Sequence, residues 1–164
     1  MLSKIGFGGS CHWCTEAIFQ SLKGVQNVSQ GWIKSDEESI AFSEAVIVEF
    51  DSDIISLETL IEIHLLTHSC TSEHAMRSKY RSAVYTFREE QTGPAKQAIN
   101  KLQADFIRPI ITEVIPFKAF KLNDQQYLNY YHKNPEKPFC KTYIDPKLKM
   151  LMTRFSRFMD ERAS

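Results

Sequence analysis

One short stretch near the start of the chain, Gly8-Gly9-Ser10-Cys11-His12-Trp13-Cys14-Thr15-Glu16, gathers two thiols, an imidazole, an indole and a carboxylate. A cysteine reacts as its thiolate, and a helix N-terminus favours that anion through unpaired N–H groups and the positive end of its dipole. Cys11 follows a glycine pair at the point where a helix should open, so the sequence predicts a nucleophilic thiol with a lowered pKa. The glycines let a ligand approach the backbone closely. Trp13 offers an apolar wall beside the sulfur. Cys11 and Cys14 also form a Cys-x-x-Cys pair, which on its own suggests thiol–disulfide exchange. In the thioredoxin pattern the tryptophan precedes the pair, whereas here it lies inside and Ser10 precedes. Cys14, one turn along, reads equally well as an inert core residue.

Other residues acquire meaning only in company. Glu44, at the start of a strongly apolar strand, and Tyr80, at the start of another, look ordinary by themselves. His64 and His68 stand four apart with Cys70 and His74 nearby, a spacing open to zinc. His64 lies on an apolar helix stripe, however, and reads better as a core histidine, so no metal site is assigned. Cys140 follows Pro138-Phe139 in a segment expected to be mobile, as a second, resolving thiol would require.

The elements that must hold these residues follow from periodicity and punctuation. Lys4 to Phe7 reads as a strand, and Ser10 as the cap of a helix over about 11–22 that ends at Gly24. Strands follow at Val25–Trp32 and Ala45–Phe50, separated by a polar loop over Lys34–Ser39. Ser56 caps a helix over about 57–67, with Leu57, Leu60, Ile61, His64 and Leu65 at helical spacing. Residues 68–79 read as a loop, and Tyr80–Phe87 as a strand. A helix from Pro94 to Phe106, a strand at Ile110–Ile115, a helix over 122–132 and an extended crossover at Asn134–Phe139 come next. Asp145-Pro146 then opens a last amphipathic helix carrying Leu148, Leu151, Met152, Phe155, Phe158 and Met159. The first six elements run β-α-β-β-α-β, the ferredoxin-like split βαβ plan, an α+β fold with helices packed on an antiparallel or mixed sheet and a C-terminal extension.

Composition narrows the function classes. The 164 residues, read as a single domain over 1–164, carry 20 basic and 20 acidic side chains. A balanced charge argues against nucleic acid as the main partner, because phosphate binding needs a basic field. No apolar run approaches the ~18 residues of a membrane span, so no membrane partner is expected. No apolar h-region marks the start, and four cysteines do not make a disulfide scaffold. The expected setting is cytoplasmic, with free thiols.

Against these elements, the chain resembles the A-type peptide methionine sulfoxide reductases, whose signature is Gly-Cys-Phe-Trp-Gly-Val-Glu. Cys11, Trp13 and Glu16 match, with His12 in place of the phenylalanine and Cys14 in place of the second glycine. The family's Gly-His-Ala-Glu-Val-Val is similar to Phe42-Ser43-Glu44-Ala45-Val46-Ile47, and its His-Asp-Pro-Thr to His68-Ser69-Cys70-Thr71. Its Gln-Tyr-Arg-Ser-Ala becomes Lys79-Tyr80-Arg81-Ser82-Ala83. A late Tyr-His-Gln-x-Tyr-Leu-x-Lys-Asn-Pro stretch aligns without gaps within Asn123–Pro135, and Cys140 stands where several members carry a recycling cysteine.

The resemblance implies reduction of methionine S-sulfoxide, free or in peptides, as protein repair under oxidative stress. Cys11 would attack the sulfoxide sulfur, Glu44 would protonate the departing oxygen from a desolvated position, and Tyr80 would hydrogen-bond that oxygen. Trp13 would hold the S-methyl group, in a pocket made more polar by His12. The Cys11 sulfenic acid would condense with a second thiol. Cys140 is favoured there over Cys14, whose bridge within one helical turn is geometrically demanding, and over Cys70. Thioredoxin or a similar dithiol would reset the enzyme, with no metal or organic cofactor. The family's Gly-Tyr-x-Gly-Gly becomes Gly31-Trp32-Ile33-Lys34-Ser35, so Trp32 replaces a sulfoxide-binding tyrosine. The usual aspartate of the 68–80 loop is missing, with Glu73 as a substitute, and the family's His-Gln pair becomes Tyr127-Leu128. Two rival readings remain: a Cys11–Cys14 thiol–disulfide oxidoreductase, and a non-catalytic methionine-binding module on the same fold.

Overall fold

The computed structural model describes residues 1–34, 42–68, 70–72, 80–134, 136–138 and 140–159. The polar loop expected after Lys34, with Ser35, lies largely outside the described residues, as do Glu73, His74, Lys79, Pro135 and Phe139. The strands are β1 (Leu2–Gly8), β2 (Val25–Lys34), β3 (Ser43–Asp51), β4 (Ala83–Thr86), β5 (Glu113–Pro116) and β6 (Ala119–Leu122). The helices are α1 (His12–Gln20), α2 (Leu57–Leu66), α3 (Glu89–Leu102), α4 (Tyr130–Lys133) and α5 (Asp145–Arg154). The sheet order is β5-β4-β1-β3-β2-β6. Its inner four strands, β4-β1-β3-β2, are antiparallel neighbours and form the split βαβ core that the element order predicts. The structure adds β5, parallel to β4, and β6, antiparallel to β2, at the two edges.

Strand alternation sorts the core. Ile5, Phe7, Val46, Val48, Phe50 and Val84 form the main buried cluster with Ile18 and Phe19 of α1, Leu60 and Ile61 of α2 and Ile99 of α3. Phe7 and Phe19 stack at 4.6 Å between ring centres, locking α1 onto β1. On the opposite face, Ile33, Ala45, Ala83 and Tyr85 are covered by Phe117 and Phe120 in a smaller cluster. Ser56 caps α2 as expected, its Oγ accepting the Thr59 N–H at 3.1 Å.

Several boundaries differ from expectation, each for a local reason. The strand expected from Tyr80 pairs only from Ala83, and that expected at Ile110 only from Glu113. The helix expected from Pro94 begins at Glu89, because Gln91 Oε1 accepts the Phe87 N–H at 2.8 Å and fixes an earlier start. Pro94 is tolerated inside α3. The helix expected over 122–132 is broken: β6 ends at Leu122, a 3-10 turn spans Gln125–Tyr127, and Asn129 takes a left-handed conformation (φ 55°) before α4. Cys140–Ile144 forms a π-helical turn running into α5. That helix buries Leu148 and Leu151 but leaves Met152 exposed.

Candidate active site

Cys11, rather than Ser10, is the N-cap residue of α1, with extended backbone angles (φ −53°, ψ 131°). Its carbonyl accepts the N–H groups of Cys14 and Thr15 at 3.1 and 3.2 Å, while Ser10 Oγ turns to the Thr15 hydroxyl at 3.1 Å. The glycines before it are needed by geometry. Gly9 has φ +141°, and a Cβ there would stand 2.5 Å from the His68 ring. A Cβ on Gly8 would stand 2.9 Å from the Arg81 carbonyl and 3.2 Å from that of Glu44. The close packing at Gly8 brings the end of β1, the start of β3 and the backbone next to Tyr80 together. Arg81 N–H donates to Ser43 Oγ at 2.7 Å, tying the same junction. Tyr80 is half-buried there, ahead of β4.

Two different neighbourhoods flank the half-buried Cys11 thiol. On one side stand sulfur and aromatic rings. Cys14 is the hydrogen-bonding partner of the Cys11 sulfur. That contact and burial push the Cys11 thiol up, and the Trp13 backbone N–H only partly opposes them. The Cys14 thiol is lowered, chiefly because Cys11 S–H donates to it. The structure therefore amends the expectation of a lowered Cys11 taken alone: the two thiols titrate as one pair, and moving the shared proton across the contact puts the thiolate on Cys11. Cys140 is fully buried, its thiol pushed up first by burial and then by the charges of Asp145 and Cys14. Tyr130 is influenced by both Cys140 and Cys11. Its ring stacks on Trp13 with centres 4.0 Å apart and planes 7° from parallel, and Tyr127 lies 6.0 Å from the same indole. Cys70, buried between α2 and the Ile111 backbone, belongs to the main core.

The other side is polar and buried. Glu44 is 5% exposed, and its Oε1 accepts the His12 backbone N–H at 3.2 Å and faces His12 Nε2 at 3.4 Å. His12 Nδ1 meets the Gly31 carbonyl at 3.0 Å, and Asn123 Nδ2 lies 3.3 Å from Nε2. Trp32 pairs across the strands with Glu44 and sets its ring edgewise to His12 at 5.2 Å. His12, expected as a pocket wall, is thus turned inward, 5% exposed.

The structure brings Cys11, Trp13, Cys14, His12, Glu44 and Trp32 together at the start of α1. Sequence reasoning missed Gln30, Asn123, Tyr130 and the role of Glu16. Glu16 is buried, accepting the Asn129 and Tyr130 N–H groups at 3.0 and 3.1 Å, and so caps α4 and seats Tyr130 on Trp13. Burial pushes its carboxyl up, and those two N–H groups draw it part of the way back. A buried acidic residue inside a helix was the available signal. The histidine pair behaves as core: His64 stacks on His68 at 4.1 Å, and the His68 nitrogens face the His64 carbonyl and Ser82 Oγ. Burial pushes His64 well below the usual histidine range.

Comparison with known proteins agrees in sequence and in shape. A family model described as peptide methionine sulfoxide reductase matches residues 3–158. The peptide methionine sulfoxide reductase MsrA of Psychrobacter sp. (strain PRwf-1) is 36% identical, over 96% of this chain and 99% of its own length. Mxr1 from Saccharomyces cerevisiae in reduced form superimposes with a TM-score of 0.77 at 18% identity, over 87% of this chain and 91% of its own. Mxr1 in complex with Trx2 gives a TM-score of 0.62, also at 18% identity, over 79% of this chain and 84% of its own.

Proposed function

Since the chain belongs to the peptide methionine sulfoxide reductase family, we propose that it reduces methionine S-sulfoxide, free or peptide-bound, with Cys11 as nucleophile. The observation that carries this reading is the convergence on one helix start of a half-buried thiol, a second thiol in contact with it, and a buried carboxyl. Cys11 thiolate attacks the sulfoxide sulfur. The S–O bond breaks as the oxygen takes the Glu44 proton, and the oxygen ends on Cys11 as a sulfenic acid. The methionine sulfur is reduced by two electrons and the cysteine sulfur oxidised by two, and the proton first lost from the thiol restores Glu44. Tyr80, half-buried beside the Gly8 junction, hydrogen-bonds the same oxygen in this reading, and Trp13 and Trp32 supply the apolar surface for the methyl group. Glu73, outside the described residues, is the candidate substitute for the family's aspartate by its place in the sequence.

A neighbouring thiol then displaces water from the sulfenic acid to form a disulfide. Contact favours Cys14, three residues along in one helical turn, where side chains at that spacing are neighbours. The bridge geometry that seemed demanding from spacing is eased by the extended angles of Cys11. Cys140, in the same buried cluster as Cys14 and within its electrostatic influence, is the second thiol proposed for exchange. A thioredoxin-type dithiol in a reducing, cytoplasmic setting resets the enzyme by thiol–disulfide exchange, a reading supported by the similar Mxr1 structure being a complex with Trx2.

The test is turnover of the separated S and R sulfoxides of N-acetylmethionine with dithiothreitol as reductant. The S epimer is consumed and the R epimer is not. Consumption of neither, with insulin disulfides reduced instead, would favour the Cys-x-x-Cys exchange reading. Binding of sulfoxide without turnover would favour the non-catalytic module.

A further inference from the structure

The buried side of the site is wired by groups whose hydrogen-bond direction is fixed. Asp124 N–H donates to Asn123 Oδ1 at 2.8 Å, which commits the Asn123 amide to present its NH2 group on the other side. That NH2 donates to Gln30 Oε1 at 2.6 Å, and Gln30 Nε2 in turn donates to the Tyr127 carbonyl at 3.0 Å. Both amide orientations are thus anchored on the main chain, at Asp124 and Tyr127. The second N–H of Asn123 points at His12 Nε2, 3.3 Å away. At the other ring nitrogen, Nδ1 must donate to the Gly31 carbonyl at 3.0 Å. Nε2 is left as an acceptor facing Glu44 Oε1 at 3.4 Å, and two bare acceptors at that distance repel unless a proton lies between them.

We propose that His12 and Glu44 share one proton and that Asn123, held by Gln30, biases it onto Glu44. His12 then acts as a positioning residue that keeps the catalytic carboxyl loaded for the sulfoxide oxygen. An imidazolium at His12 would set its Nε2–H against the Asn123 N–H, so the charged form is disfavoured while the neutral acid is not. The phenylalanine of the resembling signature accepts no hydrogen bond, so the device belongs to this chain's own His12. The inference deepens the proposed function and rests on it for the role of Glu44.

Among the described residues, the other titratable groups facing the pair include Cys11 and Cys14 from α1, whose thiolates an ionised Glu44 would oppose. Lys121 from β6 approaches over Trp32, Tyr85 and Arg81 lie behind Gly8, and Glu16 and Asp124 flank the Gln30–Asn123 amides.

The experiment has two arms on the full-length reduced protein. In the first, nitrogen NMR of the 15N-histidine-labelled protein reads the His12 ring between pH 5 and 9, assigned by its loss in His12→Phe or His12→Gln. The expected ring at pH 7 is neutral and protonated at Nδ1, with Nε2 shifting toward the protonated value in Asn123→Leu. An Nε2–H tautomer, an imidazolium in the parent, or shifts unchanged by both Asn123→Leu and Glu44→Gln would overturn the proposal. In the second arm, the pH profile of the first turnover is compared between parent and His12→Phe. Loss of one hydrogen bond to the acid should move the alkaline limb down by about one pH unit, with kcat affected more than KM. An unmoved limb with only KM changed would reduce His12 to a pocket wall and overturn the proposal. Should the parent turn over neither sulfoxide, the functional reading fails, and the spectra still decide the His12 tautomer.

Discussion

The two flanks of Cys11 are built from different chemistry. The flank toward Cys14, Cys140 and Tyr130 is made of polarisable sulfur and stacked rings, with thiols whose proton affinities depend on one another. The flank toward Glu44, His12, Asn123 and Gln30 is made of directional hydrogen bonds anchored on the main chain. The first suits movement of electron pairs between sulfurs. The second suits delivery of a proton to an oxygen. Both meet at one residue because Cys11 caps α1, so its side chain projects from the junction instead of lying along the helix surface. A reaction that cuts an S–O bond needs both services at once, and the difference between the flanks divides the labour.

Substitutions on one flank should leave the other's service intact. The largest separation is expected for Glu44→Gln, which removes the proton donor and leaves the thiols in place. The first turnover at neutral pH should slow by roughly 10²–10⁴-fold, the usual worth of a positioned acid, while the thiols keep the parent's alkylation rate. Stopped-flow single-turnover kinetics with iodoacetamide titration checks both, and equal chemistry in the variant would remove Glu44 from the role. Next comes Cys14→Ser, which should preserve the first turnover within about tenfold yet leave a trappable Cys11 sulfenic acid. Peptide mass spectrometry with dimedone reads this. Cys140→Ser should still yield a Cys11–Cys14 bridge, and no bridge in that variant, with the parent bridged only between Cys11 and Cys140, would reverse the order of the two partners.

The smallest effect is on the support of the sulfur side. Glu16→Gln removes a buried carboxyl that caps α4 under Tyr130, at a cost of about 1–3 kcal/mol for a weakened buried bond. The Glu16 pKa is raised in the folded chain, so the folded state binds that proton more tightly than the unfolded one. Its contribution is fully present below the ordinary value of 4.5 and is lost as pH rises through the shifted value. Urea denaturation across pH 4–7 should therefore show the gap between parent and variant narrowing as pH rises. A gap that widens would mean the ionised form is the better cap.

The two flanks also differed in how far they could be read from sequence. The sulfur side is local: Cys11, Trp13 and Cys14 lie within four residues, and a glycine pair before a helix announces them. The inner sheet was legible too, because β1, β3 and β4 carry alternating apolar residues that bury on one face. The proton side joins residues from α1, β2, β3 and the turn after β6, with 93 residues between Gln30 and Asn123 and 111 between His12 and Asn123. Isolated polar residues at such separations leave no period to detect. The stretch over 122–132 misled for a related reason. Its helix-forming residues are interrupted by left-handed Asn129, whose conformation is supported by Glu16 on α1, a partner far away in the chain.

The central claim, that Cys11 takes the oxygen from an oxidised thioether, is tested most directly without any reductant. Fully reduced protein is mixed with excess N-acetylmethionine S-sulfoxide, and both the methionine released and the thiols remaining are counted. The account predicts about one methionine per chain and two of the four thiols lost while the bridge stays Cys11–Cys14, rising to about two methionines and three thiols where Cys140 exchanges onto Cys14 and frees Cys11, and none of either in Cys11→Ser. Methionine formed by Cys11→Ser at the parent's yield would contradict it.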